Sequence, residues 1–336
     1  MRIALDAMGS DSFPVPDVAG AVLAAREYDE TILLVGDPAR IQPELAKHDT
    51  SGLKLEVVPA SDIVTMEDKP SVVGKAKPNS SMHIGMNLVK DGQADAFVTA
   101  GNTGAALSIA TLYTLRRIPG VKRPALSGIV RVPDHAIILL DVGANADSKA
   151  EWLAQFAIMG KLYATNTLGL DNPRIGLLSN GEEEGKGNEL IHEASALLHT
   201  LSINFVGNVE PKDMLKGGAD VVVTDGFVGN ILLKTLEATS SAMGNMIREE
   251  IMRTTVSKLG GLLARGAFRR VYQQVDPFEV GGAPLLGVNG VVIIGHGRSN
   301  DKAIKNAINQ ARKAVSGRVI EAIEAGLKQQ VETERR

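Results

Sequence analysis

Cysteine is absent from this 336-residue chain, so it has no disulfide, no thiolate metal site and no cysteine nucleophile. That composition fits a reducing cytoplasm. Aromatic residues make up only 4%, too few for platforms on which nucleic-acid bases stack. An excess of one charge is also lacking. The 36 basic and 39 acidic residues leave a net charge of −3, which gives no general pull on nucleic acid. The longest apolar runs, such as residues 136–140, fall far short of a membrane span, and the run in MRIALDAMGSD is too short for a signal peptide. A soluble protein is expected, with a surface anchor left open. Several catalytic signatures are missing too. There is no G-x-S-x-G and no H-E-x-x-H, since Ala194, Ser195 and Ala196 follow His192-Glu193. Gly295 and Gly297 are followed by Asn300 where a third dinucleotide-loop glycine would stand.

Glycine, by contrast, is plentiful, at 35 residues, and it gathers at the ends of apolar runs. Strands are predicted at 3–6, 31–35, 54–58, 96–99, 136–141, 174–178, 203–206, 220–224 and 291–295, rich in Val, Ile and Leu without alternation. Strands covered on both faces read this way. Helical patterns fall between them at 15–28, 80–91, 104–115, 150–166, 187–199 and 301–329. The fold class that follows is α/β: a mostly parallel sheet with helices on both faces, a Rossmann-like sandwich. One domain over 1–336 is expected, with a helical hairpin inserted near 245–275 and a frayed tail at 333–336.

In such sheets ligands bind beyond the carboxyl ends of strands. Six predicted ends carry small polar residues with glycine: Asp6 and Ser10; Asn102 and Thr103; Asp141 and Asn145; Asn180 onward; Asp225 and Asn230; His296 and Ser299. One such end is ordinary turn chemistry, whereas six favour a shared site. The most informative is IGLLSNGEEEGKGNE at 175–189. A strand that leads through a glycine-rich turn to a helix N-terminus builds an anion site from backbone N–H groups. Lys186 adds a point charge suited to phosphate. Only Glu182, Glu183 and Glu184 separate Gly181 from Gly185, and Gly187 stands where a P-loop needs Ser or Thr, so a nucleotide loop is excluded. Three consecutive glutamates cannot all face one ion, and no metal site is expected. They are expected in the first turn of the following helix, where carboxylates suit the dipole. Lys186 could instead simply pair with them. His296 could instead be a loop histidine bonded to backbone. Ser81 and His83 lie two apart on a helix, which points them to different faces.

Amides and a cation without a protein nucleophile suit acyl transfer in which bound phosphate attacks a thioester. Positioning and electrostatics then supply most of the acceleration. In this reading Lys186 holds phosphate, Asn230 and Asn102 position the carbonyl, and Asp225 and Glu183 orient them. Asp6, Ser10, Ser81, His83, Thr103, Asn145, Asn180, Asn188, His296 and Ser299 complete the candidate substrate site. Segment 258–270 breaks the α/β rhythm. Leu259, Leu262, Leu263 and Phe268 are apolar, and Lys258, Arg265, Arg269 and Arg270 are basic. Gly260, Gly261 and Gly266 argue against a stable isolated helix. A hairpin packed on a second subunit and a surface for an acidic protein or anionic membrane both fit.

The motifs DAMGSD, KPNSS, AGNTGA, LLDVGAN, GEEEGKGN, TDGFVGNILLKT and GGAPLLGVNG span nearly the whole chain. Together they resemble the phosphate acyltransferase family of bacterial phospholipid synthesis. The chain departs from that pattern at Ser10, where DAMGGD is usual, and at Ser179-Asn180, where LLNIGEEEGKGN is usual. The resemblance implies transfer of a fatty acyl group from acyl carrier protein to inorganic phosphate. The acyl phosphate would then serve a membrane glycerol-3-phosphate acyltransferase. It also implies a homodimer, no organic cofactor, a fold similar to phosphate acetyltransferases and isocitrate-type dehydrogenases, and peripheral association with the cytoplasmic membrane face. Segment 258–270 would then touch membrane or partner subunit through its apolar residues and carrier protein through its basic ones. A phosphate acetyltransferase acting on coenzyme A thioesters, a nicotinamide-dependent dehydrogenase and a non-catalytic membrane scaffold are the alternatives.

Overall fold

The computed structural model describes residues 1–132 and 135–334. The first half contains β1 (Arg2–Asp6), α1 (Val15–Tyr28), β2 (Thr31–Gly36), α2 (Pro38–Leu45), β3 (Leu55–Pro59), α3 (Pro70–Ala76), α4 (Ser81–Lys90), β4 (Ala96–Thr99) and α5 (Thr103–Ser108). The last of these widens into a π-helical turn at Ile109–Tyr113. Then come β5 (Ala125–Val132), β6 (His135–Leu140), α6 (Ala150–Leu168), β7 (Arg174–Leu178), α7 (Glu189–Thr200), β8 (Asn204–Val209), α8 (Pro211–Leu215) and β9 (Val221–Val223). The chain closes with α9 (Gly226–Arg253), α10 (Thr255–Val275), β10 (Ala283–Leu286), β11 (Val291–Ile294), α11 (Asp301–Ser316) and α12 (Val319–Glu334). The tail expected to fray is helical through Glu334, and Arg335 and Arg336 lie outside the described residues.

Among the described residues the strands form one sheet in the order β3-β2-β1-β4-β11-β10-β5-β6-β9-β7-β8. Its inner strands β1, β2, β4, β6, β7, β9 and β11 are buried on both faces over most of their length, which explains their largely apolar sequence. Ile3 and Leu5 of β1, Ile138 and Leu140 of β6, and Val221 and Val223 of β9 join one core with Val18, Phe156 and Ile304 from helices. Ala4, Ile137, Leu139 and Val222, one residue out of phase, join a second core with Met82, Ala105 and Met214. These inner strands alternate between two cores, which leaves few of their positions free to be polar.

Two strands escape prediction, and they determine the topology. β10 runs antiparallel to both β11 and β5, and β5 runs antiparallel to β6. The right-hand strands β6, β9, β7 and β8 therefore run opposite to β1–β4 and β11. Following the register across the sheet, Leu5, Val98, Ile293, Pro284, Ser127, Leu140, Val223 and Leu177 fall on one transverse row. Ser127 Oγ donates to the Pro284 carbonyl at 3.1 Å along it. Six strands that approach from opposite sides thus end on a single row, at the six motif-bearing ends.

One long helical pattern resolves into two helices. Predicted as continuous over 301–329, it breaks at Gly317-Arg318, where Arg318 takes φ 49°. Helices α9 and α10 form the hairpin, with Thr254 alone between them. Thr254 Oγ1 accepts the Ser257 N–H at 3.0 Å, and Ser257 Oγ accepts the Thr254 N–H at 3.1 Å, a capping box that starts α10. The glycines that argue against an isolated helix are accommodated in one that packs on α9. A Cβ on Gly261 would lie 2.4 Å from Ile251, so glycine lets the two helices approach closely.

Candidate active site

Two clefts open at the row where the strands end, and they share Gly104 and Gly143 as a common edge. The first has a volume of about 530 Å³. Leu126, Val130, Val142, Leu233, Leu236 and Ile294 give it apolar walls, and Thr103, Asn230, Lys234, Glu237, His296, Arg131 and Asp276 are polar and charged residues in its lining. Helix α9 supplies three of these. Asn230, Leu233, Lys234 and Glu237 follow i, i+3, i+4, i+7 spacing and so share one stripe of the helix.

Asp225 caps α9, its Oδ1 accepting the N–H groups of Phe227 at 3.0 Å and Val228 at 2.9 Å. This fixes the first turn, one residue beyond which Asn230 sits. Asn230 Nδ2 donates to the Val142 carbonyl at 2.8 Å. An amide nitrogen carries two hydrogens, so a second N–H remains for a substrate oxygen. Gly143, at φ 140°, is required here, because a Cβ would stand 2.9 Å from Asn230 Nδ2. Among the described residues Lys234 enters no ion pair. Glu237 is occupied: its Oε1 lies 3.2 Å from His296 Nε2 and its Oε2 lies 3.7 Å from Arg298. The His296 hydrogen bond holds the Glu237 carboxyl below its ordinary range against the opposing effect of burial.

Behind the cleft stand buried carboxylates that organise the strand ends. Asp141 is fully buried and accepts five hydrogen bonds. Its Oδ1 takes Leu126, Gly143 and Ala144 N–H, and its Oδ2 takes Asn145 N–H and Nδ2, all at 2.7–3.1 Å. Asn145 Nδ2 also donates to the Pro124 carbonyl at 2.8 Å. Asp6 accepts the Met8 N–H at 3.0 Å and the Thr99 hydroxyl at 2.8 Å, tying β1 to β4. Burial pushes its carboxyl up, opposed by hydrogen bonds from Ser81, Thr99 and Met8. Ser10 donates to Asp17 at 2.5 Å, and burial pushes the Asp17 carboxyl up to about 7. The departure at Ser10 therefore serves a buried partner instead of a ligand.

The expected site residues divide accordingly. Thr103, Asn230 and His296 line the first cleft, Asn145 lines the second, and Asp225 supports them. Asn102 is committed elsewhere. Its Oδ1 accepts the Ala105 N–H at 3.0 Å, and its Nδ2 donates to the carbonyls of Thr65, Met66 and Asp68 at 3.1–3.3 Å. Asp6, Ser10 and Ser81 are buried behind the row. His83, also buried, meets Ser80 Oγ at 3.1 Å and the edge of Tyr113, and burial lowers its pKa. Ser299 Oγ is buried beside Gly295 without a hydrogen-bond partner among the described residues.

Residues 179–188 line neither cleft. Lys186, Glu183 and Asn180 are exposed at the end of β7, two strands beyond β6. Asn208 Nδ2 holds this turn through the carbonyls of Glu183 at 3.1 Å and Lys186 at 3.4 Å. Helix α7 begins at Glu189 with Asn188 as its cap, so Glu182, Glu183 and Glu184 precede the helix instead of forming its first turn. Glu182 pairs with Lys212 at 3.5 Å, and Lys186 pairs with none of the three. Two residues escaped sequence reasoning, Lys234 and Glu237. Their spacing of four and seven from Asn230, Lys234 inside the same motif and Glu237 two residues beyond its end, was the available signal.

Leu259, Leu262, Leu263 and Phe268 are exposed on α10, Leu263 to 83%. Lys258, Arg265, Arg269 and Arg270 are exposed beside them and enter no ion pair among the described residues. Among the described residues no helix is long and apolar enough to cross a membrane.

A family model described as "Fatty acid synthesis protein" matches residues 1–322. The chain is 50% identical over 323 residues to a phosphate acyltransferase of Trichlorobacter lovleyi, covering 96% of this chain and 93% of that one. It is 48% identical over 328 residues to a phosphate acyltransferase of Geobacter sulfurreducens, covering 96% and 94%. Among solved structures, a phosphotransacetylase from Streptococcus pyogenes is similar with a TM-score of 0.59 at 17% identity, over 96% and 94% of the two chains. A branched-chain phosphotransacylase from Enterococcus faecalis is similar with a TM-score of 0.59 at 18% identity, over 94% and 99%. At these identities the two structures establish a common fold.

Proposed function

Since this chain belongs to the phosphate acyltransferase family, we propose that the acyl group it moves to phosphate arrives as a fatty acyl thioester of acyl carrier protein and leaves as acyl phosphate. One observation carries this reading. A largely apolar cleft of about 530 Å³ carries, side by side on one helix stripe, an amide with a spare N–H and a lysine that enters no ion pair among the described residues. Apolar walls suit a hydrocarbon chain. A spare amide donor suits the oxygen of a thioester, and a lysine suits phosphate.

Hydrogen phosphate dianion, held by Lys234, attacks the thioester carbonyl carbon. The new C–O bond forms as the carbonyl oxygen becomes an oxyanion, which Asn230 receives through its second N–H. Collapse re-forms the carbonyl and breaks the C–S bond. The phosphate proton passes to the departing thiolate, giving carrier thiol and acyl phosphate. Asp225 and Asp141 act by position, fixing the first turn of α9 and the Gly143 edge. Lys186 and the turn 181–188 remain a second place for the anion.

Phosphate-dependent release of one carrier thiol per acyl phosphate trapped is the expected result. Thiol release that ignores phosphate would defeat the reading. Lys234→Ala is expected to raise the KM for phosphate about tenfold or more, in keeping with loss of a charge-assisted contact. Lys186→Ala should leave it nearly unchanged. The reverse pattern would return the anion to the turn.

The hairpin supports a peripheral place on the cytoplasmic membrane face, close to a membrane glycerol-3-phosphate acyltransferase that would consume acyl phosphate. Its apolar residues also suit packing in a homodimer. Leu263→Glu with Phe268→Glu is expected to abolish co-sedimentation with anionic vesicles while leaving the protein's mass in solution unchanged. Retained vesicle binding with loss of the dimer would assign this surface to the partner subunit.

A further inference from the structure

The second cleft, about 1140 Å³ in volume, plays no part in the transfer step described above. Arg116, Arg117, Lys122 and Arg123 line it, and among the described residues no Asp or Glu does. Lys122 is paired with Glu151. The three arginines have no carboxylate partner among the described residues. The Arg117 guanidinium donates to the Lys122 carbonyl, that of Arg116 to the Leu112 carbonyl, and Arg123 lies over the Trp152 ring at 4.9 Å. All four basic residues are exposed.

The segment that carries them is held firmly. Ile118 N–H donates to the Gly287 carbonyl at 3.0 Å, and Asn289 N–H donates to the Arg116 carbonyl at 2.9 Å. Gln155 accepts the Lys122 N–H at 2.8 Å and donates to the Gly120 carbonyl at 3.0 Å. Arg116 itself sits at φ 66°, a conformation that glycine adopts more easily. Unpaired arginines on a fixed segment form a preorganised anion surface, and guanidinium forks match phosphate oxygens.

We propose that this cleft docks an acidic acyl carrier protein, with Arg117 and Arg123 receiving the phosphodiester of its prosthetic arm. The arm then runs to the Gly104–Gly143 edge and presents its thioester to Asn230, while the acyl chain enters the apolar cleft beyond. This rests on the reading that the donor is a carrier-bound thioester. It moves the carrier away from Lys258, Arg265, Arg269 and Arg270, none of which lines this cleft.

The test is Arg117→Glu with Arg123→Glu, alongside Arg117→Gln with Arg123→Gln and a hairpin variant, Arg265→Glu with Arg269→Glu. Melting temperature is recorded for each. Fluorescence anisotropy with unacylated carrier protein measures docking without turnover. Both cleft variants are expected to weaken carrier binding, by about tenfold or more for charge reversal, and to flatten its salt dependence. The KM for phosphate and binding to anionic vesicles should stay as in the parent. Unchanged carrier binding in a folded cleft variant overturns the proposal. So does loss of carrier binding in the hairpin variant alone, or a rise in phosphate KM with carrier binding intact. Wild-type protein that binds carrier through this cleft but transfers no acyl group would refute the proposed reaction and leave the docking surface standing.

Discussion

Asp141→Ala is expected to lower the melting temperature by on the order of 10 °C, the largest stability loss among substitutions at this site. The carboxylate is fully buried and accepts five hydrogen bonds, four of them from backbone N–H groups of Leu126, Gly143, Ala144 and Asn145. Truncation strands those donors without water. Each unsatisfied buried donor costs about 1–3 kcal/mol, so a total of about 4–5 kcal/mol is expected even after partial relaxation. Burial pushes this carboxyl up, yet five N–H donors with no acceptor form a cage that fits the anion. Asp141→Asn therefore also fails, because an amide nitrogen must face N–H groups. Calorimetric melting checks both variants. A Tm within about 2 °C of the parent for Asp141→Ala would remove the carboxylate from its organising role.

Asp141 also marks the limit of what the sequence discloses. LLDVGAN reads as a strand that ends in a polar turn, and the structure places the strand at His135–Leu140. What the turn does is not written in it. Its five donors include the N–H of Leu126, on a strand that has no clear signal of its own. β5, with Ser127 and Gly128 in its interior, breaks the apolar pattern, and β10 is four residues between glycines with a proline at its second position. Strand propensity is weak at such positions because packing against neighbours decides them. Missing those two strands hides the reversal of direction that brings six strand ends to one row. Local pattern thus gave the nine other strands and the class of sheet, while register across the two short strands decides where the ends meet.

The same division holds among the polar residues. Turn motifs identify Asn102, Asn145 and Asn230 equally well, since each lies in a glycine-containing segment that follows a strand. Only the fold tells them apart. Asn102 spends its amide on Ala105 and the loop at Thr65, Met66 and Asp68, whereas Asn230 spends half of its amide on Val142. Lys186 attracts notice because glycines surround it. Lys234 lies inside an apolar helix pattern and reads as solvated until α9 is seen to cover a cleft.

Asn230→Ala is accordingly expected to lower kcat by about 10²–10³-fold, the loss typical of removing one oxyanion donor. The effect should fall on kcat and kcat/KM together, because the second N–H acts on charge that develops only in the transition state. The KM for phosphate should hold steady, which separates this variant from Lys234→Ala. Stability should fall by only about 1 kcal/mol, since one hydrogen bond to the Val142 carbonyl is lost on a half-buried side chain. Asn230→Asp keeps the shape but offers no N–H and sets a negative charge against the forming oxyanion, so it should be at least as slow. Steady-state rates of acyl phosphate formation over a phosphate series measure all three variants. Asn230→Ala with a kcat within threefold of the parent would show that the oxyanion is stabilised elsewhere. The N–H groups of Thr103 and Gly104 at the start of α5, beside the Gly143 edge and without a partner among the described residues, would then be the place to look, because those of the first turn of α9 are all engaged.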